Sequence, residues 1–215
     1  MAKDTRDTAE SGRSTPERIL QAAERLFSER GIGDVSLREI TTAAGVNSAA
    51  AHYHFGSKDA VLDELFTRRA QPIADGRERL LGRLKLNRQG RPVLEDVLRA
   101  FLQPALDLLN TPEGMAFTRL RARMVFEREE VRRQILGKSF DRTNEMAFRA
   151  LSRALPKLAP KDLYWRFHFL LGTMVYTMAR PGRIESMTKG DIDTSDPQAA
   201  LEHLVRFAAA GLRAP

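Results

Sequence analysis

Residues 36–58, SLREITTAAGVNSAAAHYHFGSK, constrain the fold more than any other part of this 215-residue chain. Ser36 and Glu39 have the spacing of a capping box, in which the serine hydroxyl accepts from the glutamate amide and the carboxylate reaches back to the serine amide. Gly45 follows the first predicted helix and supplies the left-handed conformation that a tight turn requires. Asn47 then caps the next helix. The segment is therefore predicted to form a helix-turn-helix.

The flanking residues predict two further helices. Thr15 is the predicted cap and Pro16 the first residue of a helix that ends at Gly31, because proline is tolerated where no intrahelical hydrogen bond is yet made. Its apolar residues recur at the spacing of one buried face: Ile19, Ala22, Ala23, Leu26 and Phe27. Ser57 is the predicted cap of a fourth helix over residues 58–85.

Every later segment with clear periodicity is also helical. The predicted helices cover residues 93–109, 115–126, 131–155, 161–178 and 197–212, and a polar, mobile segment is expected at 181–197. The last helix carries small and apolar residues suited to close packing across a two-fold axis. The fold class is therefore predicted as all-α, with an N-terminal three-helix helix-turn-helix domain followed by a C-terminal helical bundle that dimerises.

Composition narrows the functional classes. The net charge of +7 and the pI near 10.1 favour an anionic partner, most commonly nucleic acid. Residues 1–60 nevertheless hold eight Lys and Arg against nine Asp and Glu, so charge placement matters more than the total. The absence of cysteine excludes disulfides, thiolate zinc sites and cysteine nucleophiles. With no bilayer-length apolar run, a cytoplasmic protein without a membrane partner is expected.

The second helix of a helix-turn-helix enters the DNA major groove while the first braces it. The predicted base-reading residues are Asn47, Ser48, Ala49, Ala50, His52 and Tyr53, and His54 completes this helix's DNA-binding set. Asparagine and serine can hydrogen-bond base edges, and alanine can meet a thymine methyl, but no arginine is present to hold guanine. Specificity is therefore expected to depend on DNA shape and on doubling the site.

Phosphate contacts are predicted from residues around the same helix. Ser36 with the free amides of its helix, the Tyr53 phenol, and Lys58 at the positive end of the fourth helix are suited to hold backbone oxygens. Arg38 and the arginines of the tail add attraction that does not depend on sequence.

Four blocks, ILQAAERLF, Gly31, SLREITTAAGV and YHFGSKDAVL, resemble the N-terminal domain of the TetR family of bacterial transcription regulators over residues 18–66. The resemblance implies an all-helical homodimer with a variable ligand-binding C-terminal domain, whose last two helices form an intersubunit four-helix bundle. The chain departs from the family where His52 replaces an aromatic and Ala49 a common glycine. The resemblance therefore implies phosphate contacts for Tyr53 and Lys58, and it supports these contacts better than any contact to a base.

The C-terminal segments GRPVLEDVLRAFLQPALDLL and LYWRFHFLLG resemble a subgroup that includes regulators of fatty-acid metabolism. Three regions are accordingly expected: a flexible polar tail at 1–14, a DNA-binding domain at 15–60 linked through the helix at 58–85, and a ligand-binding and dimerisation domain at 86–215.

The C-terminal half is rich in aromatic and methionine residues, most of them expected to be core. The predicted ligand-binding subset is Phe117, Arg121, Met124, Phe140, Trp165, His168 and Phe169. Methionine adapts to irregular apolar ligands, so a small hydrophobic, fatty-acid-like effector is predicted. Arg119, Arg121, Arg123 or His168 would meet an acidic head group, although a packed histidine is the favoured interpretation of His168.

No catalytic motif, cofactor motif or metal-ligand cluster is found, and no catalytic residue, cofactor or metal is predicted. His52 and His54 do not form a metal pair, because residues two apart on a helix point in different directions. The predicted function is a ligand-responsive repressor, released from an imperfect palindromic double-stranded DNA operator when the effector binds. The alternative is a hydrophobic-ligand carrier with a vestigial helix-turn-helix, suggested by the weak charge of residues 1–60 and the alanine-rich third helix.

Overall fold

The computed structural model describes residues 14–180 and 182–214, and the predicted tail at 1–14 lies outside them except for Ser14. The chain divides into two compact units, Met1–Arg68 and Arg69–Pro215. Across the described residues all regular elements are helical, and the only extended pairing is one bridge between Leu86 and Pro92. The all-α fold class with an N-terminal helix-turn-helix is confirmed.

Ten α-helices lie within the described ranges. They are α1 Thr15–Arg30, α2 Leu37–Ala43, α3 Ser48–His54, α4 Lys58–Leu81, α5 Leu94–Leu106, α6 Pro112–Arg123, α7 Glu129–Ala154, α8 Pro160–Ala179, α9 Arg183–Met187 and α10 Pro197–Arg213. Short 3₁₀ turns follow α5 at Asp107–Asn110 and α6 at Met124–Phe126.

The first unit is organised around the apolar face of α1. Ile19, Ala23 and Phe27 are fully buried, as their spacing predicts. The cap of α1 is Ser14 rather than the predicted Thr15. Glu17 decides this position, because its carboxylate accepts from the Ser14 amide at 2.9 Å and so completes a capping box one residue earlier.

In the second unit, α5 packs against α7 and α10, while α8 packs against α6, α7 and α10. Gly76 of α4 faces Pro104 of α5 so closely that an added Cβ would lie 2.9 Å from the proline Cβ. The α5 to α10 contact also carries a two-bonded ion pair, with Arg99 Nε and Nη2 at 3.1 and 2.9 Å from the Glu202 carboxylate oxygens. Apolar packing and this ion pair together fix α10 against α5.

Several predicted boundaries in the second unit are wrong by a few residues. Helix α4 ends at Leu81 rather than 85, and the helix predicted over 115–126 gives way to a 3₁₀ turn after Arg123. The predicted mobile segment at 181–197 contains α9. Glu185 of that helix stabilises the following loop, because its carboxylate accepts from the Thr194 amide at 3.1 Å.

Candidate nucleic-acid interface

Helix α3 lies at the surface of the first unit and is anchored mainly through one residue. Ala51 is fully buried, whereas Ser48, Ala49, His52 and Tyr53 are exposed. Tyr53 has 86% of its surface accessible, although it is a large aromatic residue. A large aromatic residue that the fold leaves in water is available for contact with a partner.

The turn before α3 is fixed by two features. Gly45 has a φ of 62°, the left-handed conformation expected of it. Arg18 of α1, which was not predicted, donates through Nη2 to the carbonyls of Ala44 at 2.7 Å and Gly45 at 3.0 Å. An added Cβ at residue 45 would lie 2.9 Å from the same nitrogen. Arg18 therefore clamps the turn that sets the direction of α3.

The polar groups of α3 are partly used within the helix. Asn47 caps α3, since its Oδ1 accepts from the Ala49 amide at 2.9 Å, and its side-chain amide hydrogens remain as donors. His52 Nδ1 lies 3.1 Å from the Gly56 carbonyl, which can only accept. The neutral His52 ring is therefore assigned with its proton on Nδ1, and Nε2 is left as an acceptor. Exposed His54 lies edge-on to Tyr53, with ring centroids 5.2 Å apart.

The predicted phosphate site at Ser36 contains a carboxylate. The Ser36 hydroxyl donates to Glu39 Oε2 at 2.7 Å, and Arg30 Nη1 lies 2.8 Å from Glu39 Oε1. The hydrogen bonds from the side chain and backbone of Ser36, with that of Arg30, lower the pKa of Glu39 to about 2. Glu39 is therefore charged at neutral pH and would repel a phosphate held by Ser36.

The other two predicted basic contacts differ in their surroundings. The Arg38 side chain is exposed and makes no hydrogen bond or ion pair with any described residue. Lys58, the first residue of α4, is half-buried and donates from Nζ to the Ile32 carbonyl at 2.9 Å. An ammonium group has three donors, so two remain for a phosphate.

Comparison with known proteins decides the family. Residues 19–65 match the family model described as bacterial regulatory proteins of the tetR family. Residues 99–211, more than half of the chain, match the tetracyclin repressor-like C-terminal domain. The chain belongs to the TetR family of bacterial transcription regulators.

Individual relatives and solved structures agree with this family assignment. The transcriptional regulator AcrR of Shigella flexneri is 29% identical over 175 residues, which cover 75% of this chain and 74% of AcrR. The structure of PfmR from Thermus thermophilus has a TM-score of 0.65 at 20% identity, covering 94% of this chain and 98% of PfmR. FadR of Bacillus halodurans, a fatty acid degradation regulator, has a TM-score of 0.66 at 16% identity, with the same coverage. At these identities the two structures establish the shared fold.

Family membership confirms several of the predictions. The chain is a DNA-binding transcription regulator of the helix-turn-helix type and not an enzyme. TetR-family regulators bind DNA operators and form dimers. Among the described helices, none has the length and apolarity needed to span a bilayer.

The seven predicted ligand-binding residues do not come together. Four are buried in the second unit, namely Phe117, Arg121, Met124 and Phe140. Trp165, His168 and Phe169 lie on the exposed side of α8, with Trp165 56% and Phe169 60% accessible. His168 is exposed in the protomer, so it is not packed in the protomer's own core as the favoured interpretation expected. Helix α8 has two apolar sides, and its other side supplies the core residues Leu163, Phe167, Leu170, Met174 and Met178.

Proposed function

We propose that this TetR-family regulator is a ligand-responsive repressor that leaves an imperfect palindromic operator when a small hydrophobic effector binds its C-terminal unit. DNA binding through α3 is supported by one observation: this helix has a single buried residue, and Arg18 clamps the turn before it. A recognition helix must stand free of its own protein in order to enter the major groove.

Base contacts are assigned to the exposed side of α3. The Asn47 amide, Ser48, the methyl groups of Ala49 and Ala50, and His52 Nε2 are suited to base edges. Two copies of α3 in a dimer would read half-sites about one DNA turn, ~34 Å, apart.

Phosphate contacts are assigned to Arg38, Tyr53 and Lys58, with His54 beside them. Arg38 is the strongest of these, because its guanidinium has no partner among the described residues and is already in water. Ser36 is ranked below them, since its hydroxyl is committed to Glu39. The free amides at the start of α2 remain available next to it.

The dimer surface is assigned to the exposed sides of α8 and α10. Large apolar residues lie in water there, including Trp165, Phe169 and Phe207, the last 67% accessible. Gly172 of α8 and Gly211 of α10 border a cleft of about 520 Å³, and a Cβ added at either would meet nothing within 4 Å. A glycine inside a helix costs about 1 kcal/mol relative to alanine, and no described residue of the protomer lies close enough to require it. Close approach of partner helices explains both glycines.

Helix α4 is the covalent link in the proposed response, since it begins with Lys58 and continues to Leu81. An effector that favours the released state by ~3 kcal/mol would lower operator affinity on the order of 150-fold. The effector is proposed to be hydrophobic and fatty-acid-like because the interior of the second unit is aromatic and rich in methionine.

Fluorescence anisotropy with the DNA upstream of the chain's own gene tests the proposal. We expect tight, salt-dependent binding of a dimer to one palindromic segment and weaker binding to random DNA. Asn47→Ser keeps an acceptor for the Ala49 amide and removes the side-chain amide donors, so it should lower the ratio of specific to random affinity. A folded dimer that binds no DNA at low salt would refute the proposal and favour the carrier function.

A further inference from the structure

Two arginines are buried in the second unit without an acidic partner. Arg77 of α4 is 0% and Arg121 of α6 only 8% accessible. Neither forms an ion pair with any carboxylate of the described residues. Arg77 was not predicted from the sequence, and Arg121 was one of several candidates for an acidic head group.

The partners of Arg77 are neutral. Its Nε donates to the Phe101 carbonyl at 2.9 Å and its Nη1 to Thr143 Oγ1 at 3.4 Å, and its Nη2 lies 3.6 Å from the Met174 sulfur. The guanidinium also lies 3.9 Å from the centre of the Phe101 ring. These contacts hold the group in place but leave its positive charge uncompensated.

Arg121 has still weaker partners. Its Nη1 lies 3.9 Å from the Met178 sulfur, and its guanidinium lies 4.4 Å from the centre of the Phe140 ring. Arg77 lies 5.9 Å from the same ring centre, so both cations border Phe140. Burial lowers the pKa of Arg121 to about 10, and burial together with the charge of Arg121 lowers that of Arg77. Two like charges buried together disfavour the free protein.

A surface cleft shares one residue, Met178, with the surroundings of this pair. It has a volume of about 250 Å³ and is lined by Leu109, Met115, Arg119, Met178, Ala179 and Arg180. Met178 lines the cleft, and its sulfur also lies 3.9 Å from Arg121 Nη1, so the cleft and the buried guanidinium border the same side chain. Methionine is unbranched and flexible, so this side chain can change its rotamer without a change of the backbone.

We propose that Arg121, supported by Arg77, binds the carboxylate of the effector, a small amphipathic acid whose apolar part occupies the Met178 cleft. A carboxylate matches the planar fork of a guanidinium and would neutralise the charge that the free protein leaves buried. Arg119 and Arg180 at the cleft add attraction for an anion. This inference rests on the proposed effector response and names the chemistry of the effector.

The test uses the whole 215-residue chain and the straight-chain carboxylates from butyrate to decanoate, each compared with the alcohol of equal length. Thermal unfolding and calorimetric titration are measured for the wild type, Arg121→Met and the exposed control Arg153→Met. We expect at least one carboxylate to stabilise the wild type and the control more than its alcohol does. Arg121→Met should reduce that affinity at least about tenfold, and Arg121→Lys less. Equal responses to carboxylate and alcohol, or a full response in Arg121→Met, overturn the proposal.

The unliganded variant supplies a second criterion. Arg121→Met should unfold at the same temperature as the wild type or higher, because an uncompensated buried charge is replaced by an apolar chain of similar length. A lower unfolding temperature would assign Arg121 a structural role and overturn the proposal. Operator release separates this inference from the proposed function. A carboxylate that binds through Arg121 without weakening operator binding refutes the ligand-responsive repressor and leaves the carboxylate site standing.

Discussion

Replacing Gly45 by alanine tests the role of Arg18 in holding the recognition helix. Two costs are expected from Gly45→Ala. The first is backbone strain, about 1–2 kcal/mol for a left-handed residue with a Cβ, because φ at this position is 62°. The second is the displacement of Arg18, whose nitrogen lies 2.9 Å from the new Cβ. The two hydrogen bonds of Arg18 are partly exposed to solvent, so losing them is expected to cost about 1 kcal/mol of stability.

Gly56→Ala is the matched control. Gly56 also has a left-handed φ, 76°, but a Cβ there meets nothing within 4 Å. It should therefore cost only the strain of about 1–2 kcal/mol, and Gly45→Ala about 1 kcal/mol more. In an Arg18→Met background this excess should disappear, because the clamp is already lost.

Native-state hydrogen exchange of the amides in α1 to α3 is the appropriate assay, because it reports the opening free energy of this unit separately from the rest of the chain. Operator affinity of the same variants shows whether the clamp also matters for binding. Equal costs of Gly45→Ala and Gly56→Ala, or an excess that persists without Arg18, would refute the clamp.

Three further predictions follow from the described contacts. Lys58→Ala should weaken binding to operator and random DNA alike and reduce the salt slope by about 1, whereas Arg25→Ala on the exposed side of α1 should change neither. Fluorescence anisotropy at several salt concentrations measures both variants. A change in sequence preference alone would contradict the phosphate role of Lys58. Glu39 has a folded pKa of about 2 against an ordinary 4.5, so its stabilisation is complete above pH 4.5 and is lost as pH falls to 2. Glu39→Gln should therefore reduce the acid sensitivity of α2 amide protection, and an unchanged pH profile would count against the capping box. Phe207→Glu should yield monomers in sedimentation. The control Phe126→Glu, at a residue that is 91% accessible, should leave the dimer intact. Dissociation of the dimer by both variants, or by neither, would refute the assigned dimer surface.

Local signals made the DNA-binding unit predictable. Ser36 and Glu39 form the predicted capping box, Gly45 the predicted left-handed turn, and Asn47 the predicted cap of α3. Each of these features depends on residues a few positions apart, so both partners of each interaction can be recognised in one short stretch of sequence. Arg18 could not be found in this way, because it bonds carbonyls 26 and 27 positions away and any residue supplies a carbonyl.

The second unit was less predictable for a different reason. Periodicity shows that both sides of α8 are apolar but not which side the protomer itself buries, so Trp165 and Phe169, which lie on the exposed side, were predicted to line a ligand site together with buried residues. The burial of Arg77 could have been predicted from its position in the sequence. It lies four residues after buried Ile73 and four before buried Leu81, on the apolar side of α4. A lone arginine in such a register is a candidate for a buried charge.

The single anchor of α3 has a consequence for how a regulator of this kind can change. Since Ala51 alone is fully buried in that helix, its other residues can be exchanged with little effect on folding. Most of the surface proposed to meet DNA is thereby separated from the residues that keep the protein folded. New operator preferences can arise by substitution in α3 while the clamp at Arg18 and the apolar face of α1 stay as they are.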